Sequence, residues 1–339
     1  MTRTAPDRNL SLDLLRVTEA AAMAGGRWVG RGDKNGADQV AVDAMRAMLA
    51  TVSMAGIVVI GEGEKDAAPM LYNGEAVGDG TGPACDVAVD PIDGTRLTAD
   101  GLAGAIAVIA AAPRGAMCDV SSVFYMDKLA AAGDVADVVD VCASAGDNIR
   151  AVARARGERP EDVTVCLLDR PRHAGLLREV RAAGARVQLL AEGDVAGALM
   201  AVRPNIGVDL LLGVGGAPEG VITACAVKAM RGVLQGRLAP QDADERRRGL
   251  DAGLDLDRVY TADDLVAGDD VYFAATGITD GELMRGVRYG PGTAHTHSLT
   301  VRGRSGTVRS VFAEHSLERL AAYSAVRYST WPDLFEEEQ

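Results

Sequence analysis

The sequence predicts a mixed protein of the α+β or α/β class, built on strands that exit into acidic, glycine-rich turns. Three observations lead there. Short apolar runs and helical stretches alternate between residues 163 and 214, the rhythm of βαβ units. Two helical patterns precede the first strand. The chain has 339 residues, 48% of them hydrophobic and only 4% aromatic, so one large domain or two ordinary ones can be packed mainly by aliphatic and alanine side chains.

Taken in order, residues 11 to 25 have a capping serine, a helix-favouring composition and a glycine exit, which predict a first helix. A second is predicted over residues 38 to 52, where Val40, Ala44, Met45, Met48, Leu49 and Val52 recur on one face. Asp38 then sits in its first turn, where the helix dipole favours a carboxylate. "GIVVIGEGEK" reads as a strand over 57 to 60 broken by Gly61 and Gly63, and "CDVAVDPIDGT" repeats the design. Further strands are predicted at 104–111, 163–168, 186–190, 208–214, 270–275, 297–302 and 306–313. The stretch 143–162 is the candidate boundary between an acidic first half and a more basic second. Domains of 1–155 and 156–328 follow, with 329–339 as a frayed tail.

The formal charge of −13 argues against a nucleic-acid partner, because a phosphate backbone is held chiefly by Lys and Arg. The N-terminus lacks the apolar core of a signal peptide and no apolar run spans a membrane, so the cytoplasm is the expected location and no membrane partner is expected. Five cysteines at 85, 118, 142, 166 and 225 form no C-x-x-C pair and read as reduced, mostly packed thiols.

Chemistry concentrates between residues 61 and 95. Eight carboxylates, Glu62, Glu64, Asp66, Glu75, Asp79, Asp86, Asp90 and Asp93, face one lysine, Lys65. At strand ends, like charges at short range make ionisation costly, and a hard divalent cation such as Mg²⁺ or Mn²⁺ resolves the conflict. Pro91, lacking an N–H, is read as ending the strand and freeing the Ile92 carbonyl between Asp90 and Asp93. A helix beginning at Thr95 then offers N–H groups and a hydroxyl to a phosphate. A pair of metals beside such a turn is what a two-metal phosphomonoester hydrolase requires. The competing reading of D-P-x-D-G is ordinary turn chemistry.

Two other stretches bear on phosphate. "GVGGAPEG", 213–220, follows a strand as a phosphate loop does, but Pro218 breaks the dinucleotide pattern. Glu219 reads either as a metal ligand or as a first-turn glutamate. "LLDRPRHAG", 167–175, puts Arg170, Arg172 and His173 past another strand, as an anion clamp or a solvated basic loop. His295 and His297 are read as facing opposite sides of a strand, a poor zinc pair.

Together "GRGDKNGADQVAVDAMR", "IVVIGEGEKDAAPMLYNGE", "DVAVDPIDGTR", "FYMDKL", "DRPRHAGL", "EGDVAGAL", "GVGGAPEGV" and "FAATGITDGELMRGVR" resemble class II fructose-1,6-bisphosphatases, in family order from about residue 8 to about residue 325. The D-P-I-D-G-T core is shared with the lithium-sensitive phosphatases, including inositol monophosphatases. The resemblance implies a layered αβαβα sugar-phosphatase fold and metal-dependent hydrolysis of the 1-phosphate of fructose 1,6-bisphosphate, a gluconeogenic step. It implies two or more Mg²⁺ or Mn²⁺ ions per site, one held by Asp38 and Glu62 and another by Asp90, Asp93 and Glu219.

By the same likeness the substrate is gripped by Asp93, Gly94, Thr95, Tyr125, Arg170, Pro171, Arg172, Glu192, Gly193, Asp194 and Gly216. Thr95 orients the attacking water, with Lys34, Glu64 and Asp66 in support. The implied assembly is a homo-oligomer, a dimer or tetramer. Two positions depart from the family pattern. Asp93 stands where many relatives carry glutamate, and Glu192 where they carry aspartate. The alternatives are a dual fructose/sedoheptulose bisphosphatase, a phosphatase for another sugar or inositol phosphate, and a non-catalytic sugar-phosphate-binding regulator.

Overall fold

In the computed structural model, which describes residues 9–61, 71–204, 206–324 and 326, the chain opens with two packed helices, α1 (Ser11–Gly26) and α2 (Lys34–Leu49). Ser11 does not cap the first: Leu10 is the N-cap residue, Asn9 Oδ1 just before it accepts the Ser11 N–H at 3.0 Å, and the Ser11 hydroxyl is buried without a hydrogen-bond partner. Helix α2 starts four residues before its predicted origin. The Asp33 side chain accepts the Gly36 N–H at 2.9 Å, an N-cap that the apolar periodicity alone does not reveal. Asp38 therefore lies in the second turn, beyond the orphan N–H groups, and the dipole argument for it falls.

The first sheet contains β1 (Ala55–Ile60), β2 (Ala76–Val77), β3 (Ala84–Asp93) and β4 (Ile106–Pro113), with α3 (Thr95–Asp100) between the last two. The chain then leaves for a second sheet and returns with β11 (Tyr272–Gly277), β12 (Arg288–Gly290), β13 (Thr293–Arg302) and β14 (Thr307–Ser316), followed by α10 (Leu317–Tyr323). Strand order is β12-β13-β11-β4-β3-β1-β2, with β14 also on β13.

The second sheet has the order β10-β9-β5-β8-β6-β7. Its members, in chain order, are β5 (Tyr125–Ala131), α4 (Ala145–Arg156), β6 (Thr164–Leu168), α5 (Ala174–Ala182), β7 (Arg186–Leu190), α6 (Asp194–Val202), β8 (Leu210–Gly216), α7 (Ala217–Ala229), β9 (Val233–Leu238), α8 (Ala243–Asp251), β10 (Tyr260–Thr261) and α9 (Ala262–Leu265). Strand β6 is parallel to both β7 and β8, with α5 and α6 as crossovers, so the predicted βαβ rhythm is real.

Three cores separate five layers. Helices α1 and α2 cover one face of the first sheet through Leu14, Val17, Met45 and Leu49 against Val87, Val89, Ile109 and Ala274. Helices α6 and α7 fill the centre, with Leu199, Val221 and Ile222 between Ala88, Val108 and Phe273 of the first sheet and Met126, Ala130 and Leu211 of the second. Helices α4 and α5 close the far side with Ile149, Val152 and Val180 against Leu129, Val165 and Leu210. This is the layered αβαβα arrangement. Residues 143–162, the expected boundary, contain α4.

Strand β3 runs through Pro91 instead of ending there. Its register with β4 pairs Asp90 with Val108 and Asp93 with Ile106, so three steps on β3 match two on β4. That is a one-residue bulge, where a residue without an N–H is tolerated. The side chains follow: Ala88 faces the central core, Val87 and Val89 face α1 and α2, and Ile92 joins the latter group although simple alternation assigns it to the former. His295 and His297, two apart on β13, share a face, contrary to expectation. His297 stacks on Phe312 with ring centroids 4.0 Å apart and is bonded to Ser310 Oγ, while His295 lies 4.0 Å from Glu314. All five cysteines are free thiols, Cys85, Cys166 and Cys225 buried.

Candidate active site

A cleft of about 580 Å³ opens where the two sheets' strand ends meet. The bulge sends Asp90 and Asp93 to its floor, and Gly94, at φ 98°, turns the chain so that α3 begins at Thr95. Helix α2 contributes Lys34 and Asp38. From the second sheet come Tyr125 at the start of β5, Arg170 and Arg172 past β6, the Glu192-Gly193-Asp194 turn after β7, Gly216 at the end of β8 and Glu219 just beyond it. Of the expected residues that the structure describes, all but Pro171 line this cleft. Pro171 lines a neighbouring cavity of about 220 Å³ behind the arginine loop. Glu62, Glu64 and Asp66 lie outside the described residues.

Asp93 is a strained charge on the cleft floor. Burial first, then Asp194 and Glu219, push its carboxyl well above the ordinary range, against partial relief from Lys128 and the Ala196 N–H. Its Oδ2 is buried with no hydrogen-bond partner. A carboxylate oxygen in that condition requires a proton or a cation, so the donor set fits a hard divalent ion. Among the described residues no three His, Cys, Asp or Glu side chains form a ready-made cage.

Glycines permit this crowding. A Cβ on Gly215 would stand 1.7 Å from Asp194 Oδ2, and one on Gly216 the same distance from Glu219 Oε2. Glu219 sits in the first turn of α7 and also faces the cleft, so its two readings are compatible. Asp90 Oδ1 accepts the Ile92 N–H at 3.0 Å. Asp86 takes no part: it is buried, accepts the Met117 N–H at 3.1 Å and pairs with Arg114 at 3.3 Å, a structural carboxylate.

Arg170 donates to the Ala191 carbonyl at 2.6 Å and to Glu192 at 3.4 Å. Arg172 donates twice to the Val214 carbonyl, at 2.7 and 3.1 Å, with its guanidinium 5.1 Å above the Tyr125 ring. These contacts hold both forks in place beside the cleft. His173 is no part of a clamp. Its Nδ1 bonds Leu168 O at 2.8 Å, its Nε2 accepts the Val214 N–H at 2.9 Å, and burial lowers its pKa.

Three contributors escaped the sequence reading. Phe124 lines the cleft beside Tyr125. Arg96 offers its backbone N–H to Glu192 Oε2 at 3.1 Å and its guanidinium to Oε1 at 3.6 Å, tying α3 to the second sheet. Lys128, in mid-strand on β5, is only 1% exposed. Its signal was present: a lysine between Met126 and Ala130, where alternation calls for an apolar side chain.

A five-layer fold whose inter-sheet cleft gathers both carboxylates and arginines suits a class of phosphate-ester enzymes. Residues 8–315 match the model of the bacterial fructose-1,6-bisphosphatase family, glpX-encoded, and the chain belongs to that family. It is 43% identical over 329 residues to the fructose-1,6-bisphosphatase 1 class 2 of Escherichia coli K12, covering 92% of this chain and 96% of that one. The class 2 enzymes of Escherichia coli O6:H1 and Shigella flexneri are similar to the same degree.

Proposed function

We propose that this chain hydrolyses the 1-phosphate of fructose 1,6-bisphosphate to give fructose 6-phosphate and phosphate, in gluconeogenesis. The lining of the cleft carries the reading: it gathers Asp38, Asp90, Asp93 and Glu219 for cations together with Arg170 and Arg172 for an anion, as a substrate with a reacting and a non-reacting phosphate requires. Two or more Mg²⁺ or Mn²⁺ ions belong to this reading, one held by Asp38 with Glu62 and another by Asp90, Asp93 and Glu219. When bound, they supply Lewis acidity at the phosphoryl oxygens and lower the pKa of water.

The chain's own residues do the rest. The Thr95 hydroxyl orients the attacking water, and Lys34, Glu64 and Asp66 support it. Tyr125, the Arg170–Arg172 loop, Gly193 and Gly216 shape the grip on the sugar phosphate, and excluding water there strengthens each polar contact. Residues 1–155 supply the metal ligands apart from Glu219, and 156–328 supply the sugar-phosphate grip apart from Asp93, Gly94, Thr95 and Tyr125. A homo-oligomer in the cytoplasm completes the reading; no described helix is long and apolar enough to cross a membrane.

Steady-state phosphate release with Mg²⁺ or Mn²⁺ across a panel of esters tests it. The expected outcome is highest kcat/KM on fructose 1,6-bisphosphate, with sedoheptulose 1,7-bisphosphate as the nearest competitor. Preference for an inositol phosphate overturns the substrate, and tight binding without release under any metal supports a regulator instead.

A further inference from the structure

Lys128 is an anomaly of sequence, burial and electrostatics together. On β5 it shares a face with Met126 and Ala130 of the central core, and its cross-strand neighbours on both sides, Gly213 and Gly236, have no side chains. Its side chain is 1% exposed, with the ammonium 2.5 Å from Asp194 Oδ2 and 2.8 Å from the Gly216 carbonyl. Asp194 is the first residue of α6 and Gly216 the N-cap of α7, so a buried cation sits beneath two helix N-termini, where the dipoles disfavour positive charge. A buried ion pair is weak evidence for stability, since desolvation offsets most of its attraction. The arrangement therefore calls for a role in the site.

The cleft floor supplies that role. Asp194 and Glu219 add to the cost of ionising Asp93, and Lys128 is the cation that opposes it. Direct contact neutralises Asp194 alone; Asp93 Oδ2 is left buried and unbonded. The close approach of Gly215 to both partners, 1.7 Å to Asp194 Oδ2 and 3.1 Å to Lys128 Nζ for an added Cβ, fixes the pair against β8.

Building on the hydrolytic reading above, we propose that Lys128 is a positioning residue. Its ammonium occupies the cation position at Asp194, so that divalent ions are kept off Asp194 and left to the ligand sets named above. The same contacts pin the Gly193–Asp194 and Gly215–Gly216 turns at the substrate's edge.

The test counts Mn²⁺ ions per chain and their affinity by equilibrium dialysis without substrate, alongside kcat and KM with Mg²⁺. A Lys128→Met chain is expected to bind one Mn²⁺ more than wild type, at Asp194, and to show KM raised about tenfold or more. Adding Asp194→Asn is expected to restore the wild-type ion count while KM stays high. A Lys128→Met chain with the wild-type count, or a double variant that keeps the extra ion, overturns the proposal. Should Lys128→Met fail to fold, Asp194→Asn alone is compared with the double variant. The unopposed ammonium should weaken Mn²⁺ binding about tenfold in the former, with recovery in the latter, and equal affinities overturn the proposal. Because the counts need no substrate, they stand even if the wild-type chain prefers another ester.

Discussion

Asp93 and Thr95 stand two residues apart and carry opposite kinds of burden. Asp93 is buried and electrostatically unfavourable without a cation, so Asp93→Asn should melt at or above the wild-type temperature in chelator, yet gain less from added Mn²⁺. Thermal denaturation with and without metal measures both; a variant stabilised by Mn²⁺ as much as wild type refutes a ligand role. Thr95 contributes only a hydroxyl. Thr95→Ala should lower kcat about a hundredfold or more, in the range of a lost proton-handling group, with KM nearly unchanged. Retention of full kcat would remove it from the mechanism. Glu192 illustrates what one residue type can conceal: its longer arm spans from Arg96 on α3 to Arg170 past β6, contacts invisible until both layers are in place.

At the scale of elements, α2 is the lever that brings Lys34 and Asp38 to the cleft, and Asp33 sets where it starts. Asp33→Ala should cost about 1 kcal/mol of stability, while Asp33→Asn should cost much less. Chemical denaturation reads the difference, and equal losses in both variants would mean that the cap is not what matters. Elements with clean periodicity were legible: α1, β1, β4, β6, β7, β8, β11, β13 and β14 fall within a few residues of their predicted spans. Strand β5 was not, because Asp127 and Lys128 interrupt its apolar pattern, and Gly236 and Arg237 interrupt β9. The site was legible as a set of residues because strand exits and glycine turns advertise themselves. Its internal wiring was not, since Lys128–Asp194 and Arg96–Glu192 join residues far apart in sequence.

Across the whole molecule, α1 is seated on the first sheet through a polar seam, not a purely apolar one. Thr18, Thr276 and Ser298 form a buried hydroxyl chain at 2.8 Å per link. Beside it burial pushes Glu19 up to about 7 from 4.5, against a Thr296 hydrogen bond and Arg16. A carboxyl raised by folding stabilises most below its unfolded pKa, and that contribution is lost as pH climbs from about 4.5 to about 7. His315, 3.8 Å away and lowered by burial, acts in the other direction, losing its contribution as pH falls. A Glu19→Gln chain should therefore gain on wild type across that rise by as much as about 3 kcal/mol. Parallel stability–pH curves would exclude the carboxyl as their source. The bulge in β3 has a consequence for anyone transplanting this chemistry. On a straight strand, D-P-I-D would send its two aspartates to opposite sides, since residues three apart differ in parity. Here the extra residue restores the phase only because β4 counts two where β3 counts three. The portable unit is thus a pair of strands and their miscount, and a graft of the motif alone would bring both aspartates and still miss the ion.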